Sequence, residues 1–184
     1  MPTPSVLLAV TGATGAIYAR GVLARLLEGE ASAGLVLSAQ ARGIVTAELG
    51  AADDPIAAVL GRHDDRVIYY PQDDFTSPFA TGSAPWRAVV IVPCSMGTVG
   101  RIAAGVSTDL ITRASDVALK ERRRLLLAPR ETPLNLIHLR NLTALAEAGA
   151  TILPLCPGFY QGPQRIDDLV AFMVERIITQ INGS

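Results

Sequence analysis

Short, uninterrupted apolar runs alternate in this chain with segments of helical periodicity, and this alternation restricts the fold more than any other feature. The run Ser-Val-Leu-Leu-Ala-Val at 5–10 has the composition of a strand buried on both faces of a parallel sheet. Similar runs lie at 35–38, 88–92, 125–128 and 150–155, with a weaker one at 66–70. Strands that alternate with helices predict a parallel sheet covered by helices on both sides. We therefore expect a three-layer, Rossmann-like α/β fold.

The helices are predicted from apolar spacing and from their end signals. We expect helices at about 16–28, 40–49, 55–60 and 164–181, another after Thr98, and one that Ser107, Thr108 or Asp109 caps. A further helix is predicted to have Thr132 as its cap, Pro133 at its first position and Gly149 just after its end. This helix should bury Leu134, Ile137, Leu142 and Leu145, and the helix at 164–181 should bury Ile166, Leu169, Val170, Met173, Ile177 and Ile181.

Length and charge exclude several classes of protein. The 184 residues predict a single domain over 1–184 with a proper core, and a net charge of −1 gives no general affinity for nucleic acid. No apolar run approaches the ~20 residues that cross a bilayer, so no membrane association is expected. The first residues lack the basic region of a secretory signal, and the two cysteines suggest no disulfide framework. We expect a cytoplasmic protein.

Four loops follow predicted strands and should meet at the carboxyl edge of the sheet, where open α/β sheets bind ligands. The first, Gly12-Ala13-Thr14-Gly15, offers N–H groups and a hydroxyl at a helix start, which is an anion site. It resembles the glycine motif of nucleotide-dependent reductases, but Tyr18 replaces the third glycine. The chain also has no Tyr-x-x-x-Lys pair, because the residue four positions before its one lysine, Lys120, is Asp116 and not a tyrosine. A classical dehydrogenase is therefore not indicated.

The second and third loops carry hydroxyls. Ser38 ends a strand, and Glu48 lies ten residues later on the following helix. Residues 93–98, Pro-Cys-Ser-Met-Gly-Thr, place two hydroxyls and a glycine at a helix start, which suits a phosphate or the polar edge of a flavin ring. Cys94 has no neighbouring His or Lys to activate it, so we interpret it as a small buried residue.

The segment 107–133 carries cations that could bind phosphate. Arg113 and Lys120 are seven residues apart and so share one helix face at about 10 Å separation. Arg130 and Glu131 then follow a predicted strand, and a carboxyl group beside a phosphate dianion could take up a proton and act as an acid. Tyr160 and Arg176 complete a set of phosphate-binding side chains. From spacing alone, ordinary surface charges and a half-buried tyrosine explain these residues equally well.

Five motifs together resemble the UbiX-type flavin prenyltransferases nearly end to end. They are Thr-Gly-Ala-Thr-Gly-Ala, Pro-Cys-Ser-Met, Leu-Ile-Thr-Arg-Ala-Ser-Asp-Val-Ala-Leu-Lys-Glu-Arg-Arg, Arg-Glu-Thr-Pro-Leu and Phe-Tyr-x-x-Pro-x-x-x-x-Asp-Leu-Val. The resemblance implies a metal-independent transferase that joins a dimethylallyl group from dimethylallyl monophosphate to N5 and C6 of reduced FMN. It also implies a partner, a UbiD-type decarboxylase that receives the prenylated FMN, and a cytoplasmic homo-oligomer, commonly a dodecamer, with active sites between subunits.

Matching the motifs residue by residue assigns roles to particular positions. The resemblance implies cofactor contacts at Gly12, Ala13, Thr14, Ser38, Ser95, Met96, Gly97, Thr98 and Arg130. It implies prenyl-phosphate contacts at Arg113, Lys120, Tyr160 and Arg176, and catalytic roles for Glu131, Glu48, Lys120 and Thr14. No metal is implied.

This chain departs from the family pattern at three places. Thr14 stands where the family usually has serine, Gly97 stands where it usually has lysine, and Thr81-Gly82-Ser83 replaces a Ser-Gly-Ser loop. The loss of a cation at Gly97 leaves open a second function, a non-catalytic protein that binds or carries FMN or prenylated FMN. A third alternative, an FMN-dependent decarboxylase of peptidyl cysteine, would want a catalytic histidine early in the chain, and no histidine precedes His63.

Overall fold

Six parallel strands form the sheet of this protein, whose computed structural model describes residues 4–28 and 32–183. The strands are β1 (Val6–Val10), β2 (Ala33–Leu37), β3 (Val67–Tyr69), β4 (Ala88–Cys94), β5 (Arg124–Pro129) and β6 (Thr151–Ile152). Their order in the sheet is β3-β2-β1-β4-β5-β6, and every pairing is parallel. The predicted parallel sheet is thus confirmed. The strand order reverses between β1 and β4, which is where such sheets open a ligand-binding crevice.

The helices are α1 (Ala16–Leu26), α2 (Ala39–Leu49), α3 (Pro55–Leu60), α4 (Met96–Ala103), α5 (Leu110–Lys120), α6 (Leu136–Glu147) and α7 (Ile166–Asn182). They cover both faces of the sheet, and this is why the strand residues are apolar without alternation. Leu8 and Val10 pack into the core beneath α1 and α7, whereas Leu7 and Ala9 pack into the core beneath α4 and α5. The three-layer, Rossmann-like prediction is confirmed.

Asp109 is the cap of α5 among the three predicted candidates. Its Oδ1 accepts the N–H of Thr112 at 2.8 Å, and the Thr112 hydroxyl lies 3.3 Å from the N–H of Asp109, which completes a capping box. Because α5 connects two parallel strands, it runs back across the sheet. Its first residue lies near the carboxyl edge, and Lys120 lies near the amino edge, four residues before β5 begins.

The predicted start of α6 is wrong. The helix begins at Leu136 rather than at Pro133, because Asn135 provides the better cap. Its Oδ1 accepts the N–H of His138 at 2.9 Å, and Nδ1 of the His138 ring accepts the N–H of Asn135 at 3.5 Å, which completes a capping box. The end is as expected, since Gly149 follows the last residues of the helix with a φ of +101°.

The predicted burial of α6 and of the start of α7 is also wrong. Leu145 is buried, but Leu134 and Ile137 are 42% and 67% exposed, and Ile166 is 72% exposed. Amphipathic spacing gives the direction of an apolar face, but it does not reveal whether that face contacts this sheet or another molecule.

Trp86 belongs to the core of the fold. Its ring is buried beside Phe79, and its N–H donates to the carbonyl oxygen of Pro78 at 2.9 Å. The Arg123 guanidinium lies 4.2 Å from the centre of the ring and donates to the carbonyl oxygens of Gly82 and Ala84. These contacts fix residues 81–84 against the end of α5. No helix in the described part of the chain is both long and apolar enough to span a membrane.

Candidate active site

Two side chains tie together the loops at the carboxyl edge. The Thr11 hydroxyl donates to the carbonyl oxygen of Pro93 at 3.0 Å and accepts the N–H of Ser95 at 2.8 Å. Arg130 donates through Nε to the carbonyl oxygen of Thr14 at 3.3 Å. The loops after β1, β4 and β5 therefore meet, as the sequence predicts.

A cavity of about 400 Å³ opens where these loops meet the start of α2. This volume lies within the range of about 300–1,000 Å³ that small-molecule sites usually have. It is lined by Gly12, Ser38, Ala39, Gln40, Gln72, Ser95, Gly97, Thr98 and Arg101. Five of the predicted cofactor contacts thus share one cavity. The side chains of Ala13 and Met96 are instead buried in the protein, so a ligand could reach these two residues only through their main chain.

The walls of this cavity fit the phosphate-bearing flavin that the resemblance implies. A Cβ at Gly12 would lie 2.9 Å from Cβ of Gln40, so this wall leaves no room for a side chain. Ser38 and Ser95 cap α2 and α4 by accepting the N–H groups of Ala41 at 3.1 Å and Thr98 at 3.3 Å. Two helices therefore begin at the cavity, and their positive ends favour an anion there.

The N–H groups at the end of the glycine loop bind a carboxylate of the protein itself. Glu48 reaches the start of α1 and accepts the N–H of Gly15 at 3.0 Å and that of Ala16 at 2.7 Å. A carboxylate of the protein therefore occupies the positive end of this helix. The same contacts bring Glu48 to the glycine loop, whose Thr14 carbonyl oxygen is bound by Arg130, although Glu48 lies 33 residues after Gly15 in the chain.

The acid candidate, Glu131, and one phosphate candidate, Tyr160, follow strands at the carboxyl edge, whereas Arg176 lies about three turns into α7. Glu131 is exposed directly after β5, and its Oε1 accepts the N–H of Thr132 at 3.1 Å. Tyr160 and Arg176 line a second cavity of about 550 Å³, which the loop after β6 forms with α7. The loop after β6 lies beside the glycine loop, since a Cβ at Gly15 would be 3.7 Å from a methyl group of Leu155.

Arg113 and Lys120 lie elsewhere, so a single chain does not bring the four predicted phosphate contacts together. Lys120 is at the amino-edge end of α5, where its Nζ pairs with Glu121 at 2.6 Å. Arg113 lies about two turns earlier, pairs with Asp116 at 2.9 Å and donates to the carbonyl oxygen of Ala80 at 3.0 Å. Glu121 also contacts Gly82, so these cations adjoin the variant 81–83 loop.

A buried polar network beside the first cavity was missed from the sequence. Asp109 accepts hydrogen bonds from Arg101 and, at 3.0 Å, from the side chain of Gln72. The Gln72 oxygen in turn accepts the N–H of Ala39 at 2.8 Å. Burial opposes ionisation of Asp109, but the bonds from Thr112, Arg101 and Gln72 outweigh it and hold its pKa below the usual range. Gln72 and Asp109 are 37 residues apart in the chain, so no local sequence pattern predicts the hydrogen bond between them.

Cys94 is confirmed as a buried residue, and we expect it to be unreactive in the folded protein. Burial raises the pKa of its thiol to about 12, whereas Cys156 is exposed. Iodoacetamide at mildly alkaline pH should therefore alkylate Cys156 and leave Cys94 unmodified until the protein is unfolded, as peptide mass spectrometry would reveal. Equal alkylation of both cysteines in the folded protein would contradict this. Among the described residues, no group of three His, Cys, Asp or Glu side chains could hold a metal ion.

Comparison with known proteins gives consistent matches. Residues 1–178 match the profile of the family described as Flavoprotein. The flavin prenyltransferase UbiX of Methanocaldococcus jannaschii is 42% identical over 173 residues, which cover 94% of this chain and 90% of that protein. A crystal structure of AnUbiX in complex with FMN and dimethylallyl pyrophosphate is 36% identical, with a TM-score of 0.90 and coverage of 99% and 94%. A dodecameric FMN-dependent UbiX-like decarboxylase from Escherichia coli O157:H7 is 33% identical, with a TM-score of 0.88 and coverage of 97% and 95%.

Proposed function

This chain belongs to the flavoprotein family and, within it, to the UbiX-type flavin prenyltransferases, and on that premise we propose that it joins a dimethylallyl group to N5 and C6 of reduced FMN. The donor that we propose is dimethylallyl monophosphate. One observation carries the proposal: the first cavity and Glu131 lie at the carboxyl edge of the sheet, and the loop after β6 brings Tyr160 to the same edge. When bound, reduced FMN supplies the two nucleophilic atoms of this reaction.

The cavity behind Gly12 would hold the FMN. Ser38, Ser95 and Thr98 would bind its phosphate end, because their hydroxyls lie at the starts of two helices that favour an anion. Arg130, which is fixed to the main chain of Thr14, would contact the ring at the edge between β1 and β5. Gly97 lines the same cavity, and Ala13, Met96 and Thr14 lie beside its lining residues in the chain, so we propose that they also contact the cofactor.

The chemical step requires cations around the leaving group. Breaking the carbon–oxygen bond of an allylic phosphate leaves a phosphate dianion, and fixed donors stabilise that charge as it develops. Tyr160 and Arg176, which line the second cavity, would supply two donor groups. Lys120 would come from a neighbouring copy of the chain, because α5 carries it to the opposite edge of its own sheet. Arg113 lies on the same helix and would come from the same copy. The active site is then shared between subunits.

Glu131 would give its proton to the departing phosphate. Its carboxyl group is exposed directly after β5, at the carboxyl edge onto which the first cavity opens, so it could reach a phosphate held there. Glu48 is already fixed by three hydrogen bonds to the start of α1. We propose that it orients the glycine loop against the flavin and acts as a second catalytic carboxylate at that loop.

The exposed apolar residues support a homo-oligomer. Six of them lie in the segments that follow β5 and β6: Leu134, Leu136, Ile137, Leu139, Phe159 and Tyr160. An apolar group of this kind is expected at an interface between protein chains. Because the related protein from Escherichia coli is dodecameric, we propose a dodecamer here as well. Prenylated FMN would then pass to a UbiD-type decarboxylase, as the resemblance implies.

An anaerobic incubation tests the proposed reaction. The protein is mixed with reduced FMN and either dimethylallyl monophosphate or the diphosphate, and the released flavin is analysed by mass spectrometry. We expect the mass of one dimethylallyl group to be added with the monophosphate. Tight FMN binding without a mass change from either donor would contradict the transferase proposal and favour the carrier function. A mass change with the diphosphate alone would contradict the proposed donor.

A further inference from the structure

Arg101 lies at the first cavity, and none of the sequence motifs includes it. We propose that Arg101 is a cofactor-binding residue, which donates to the phosphate group of FMN and makes the protein prefer FMN over flavins that lack this phosphate. The inference rests on the proposed position of FMN in the cavity between β1 and β4.

The position of Arg101 supports this role. It is four residues, about one turn, after Gly97 on α4, so both residues lie on the same side of the helix. Among the described residues that line the cavity, Arg101 is the one with a charged side chain. Its guanidinium lies near the capped starts of α2 and α4, where the two helix dipoles already favour an anion.

The guanidinium is held in place by groups behind it. It donates to Asp109, whose side chain is only 8% exposed, and through a second nitrogen to the hydroxyl of Thr98 at 3.4 Å. Gln72 shares the same carboxylate, so the network that fixes Arg101 also fixes the first N–H of α2. A guanidinium has five N–H groups, and these two contacts leave others to face the cavity, where the side chain is 36% exposed.

Because Gly97 has no side chain, the Arg101 guanidinium is accessible from the cavity. A Cβ at Gly97 would have no neighbouring atom within 4 Å, so no side chain stands at this place on the cavity wall. A phosphate at the starts of the two helices could therefore approach Arg101 directly. Arginine suits this position because two of its N–H groups can bind two phosphate oxygens at once.

Binding of FMN and of riboflavin separates this role from a structural one. Riboflavin has the same ring and ribityl chain but lacks the phosphate, and both ligands can be titrated by quenching of flavin fluorescence. For Arg101→Ala we expect the Kd for FMN to rise about tenfold to a hundredfold, the loss for a hydrogen bond to a charged group. The Kd for riboflavin should change less than about twofold, because the lost donors face the phosphate alone. The exposed Arg62, which pairs with Asp64 in the loop before β3, provides a control, and Arg62→Ala should change neither constant.

Two outcomes would overturn the assignment. An unchanged Kd for FMN would show that Arg101 does not bind the phosphate. An equal loss of affinity for FMN and riboflavin would show that Arg101 acts through the Asp109 network or contacts the ring. If Arg101→Ala does not fold, Arg101→Lys decides, because lysine keeps the ion pair with Asp109 but lacks the paired donors. Its preference for FMN over riboflavin should fall at least about threefold, and an unchanged preference would contradict the proposal.

The result of this experiment does not depend on whether the proposed prenyl transfer takes place. A wild-type protein that prefers FMN through Arg101 but never changes the flavin mass would contradict the transferase proposal and leave this inference standing. A protein that prenylates FMN while Arg101→Ala keeps its preference for FMN would do the reverse.

Discussion

The substitution Glu131→Gln should leave FMN bound and slow prenyl transfer by about 10²–10⁴-fold, the contribution usual for a positioned general acid. Glutamine keeps the size of the side chain, and its amide oxygen can still accept the N–H of Thr132, so the loop after β5 should stay in place. What it lacks is a proton that can be given up to the leaving phosphate. Single-turnover transfer, followed by the mass of the flavin, and FMN titration of the same sample would measure the two effects separately.

A matched control is available at the surface. Glu28 pairs with Arg25 at 2.8 Å near the end of α1, and its side chain lines neither the first nor the second cavity. Glu28→Gln should therefore change neither FMN binding nor the rate of transfer. If Glu131→Gln transfers the dimethylallyl group at the wild-type rate, the acid assignment is wrong. If it loses FMN instead, Glu131 supports the cofactor rather than the departure of phosphate.

The architecture could be predicted because a strand that is buried on both faces is apolar at every position of its sequence. Strand β1 is apolar at every position, since alternate residues such as Leu7 and Leu8 enter different cores. A strand of that kind requires helices on both sides, and the order of elements then follows. The start of α6 was mispredicted because Thr132-Pro133 and Asn135 both offer end signals, and only the packing of the chain selects between them.

The site was predictable where a motif and a strand end coincide, and less so where distant side chains meet. Ser38, Ser95 and Thr98 follow strands, so their convergence follows from the topology. The contact of Glu48 with the start of α1 and the network around Asp109 join segments that are far apart in sequence, and no local pattern reveals them. The separation of Lys120 from Glu131 could have been foreseen, because a helix between two parallel strands must end at the amino edge.

The second large effect that we expect is on the rate of prenyl transfer when Lys120, which lies at the opposite edge of the sheet from Glu131, is replaced. Lys120→Ala should slow transfer by about 10²–10³-fold, because one fixed cation is lost from around the leaving phosphate. The ion pair with Glu121 is exposed and adds little to stability, so the variant should fold normally. Taken alone, this result would not reveal which chain supplies the lysine to a given site.

Mixed oligomers answer that question. Chains carrying Lys120→Ala and chains carrying Glu131→Gln are co-expressed with different affinity tags, and oligomers that contain both are isolated by two purification steps. If each site takes Glu131 from one copy and Lys120 from another, equal mixing should restore about a quarter of the wild-type rate, since chance leaves that share of sites intact at both positions. Sites built within one chain would always carry one of the two defects, and the mixture would stay as slow as its parents. That second result would overturn the shared site and would require α5 to move Lys120 across its own sheet.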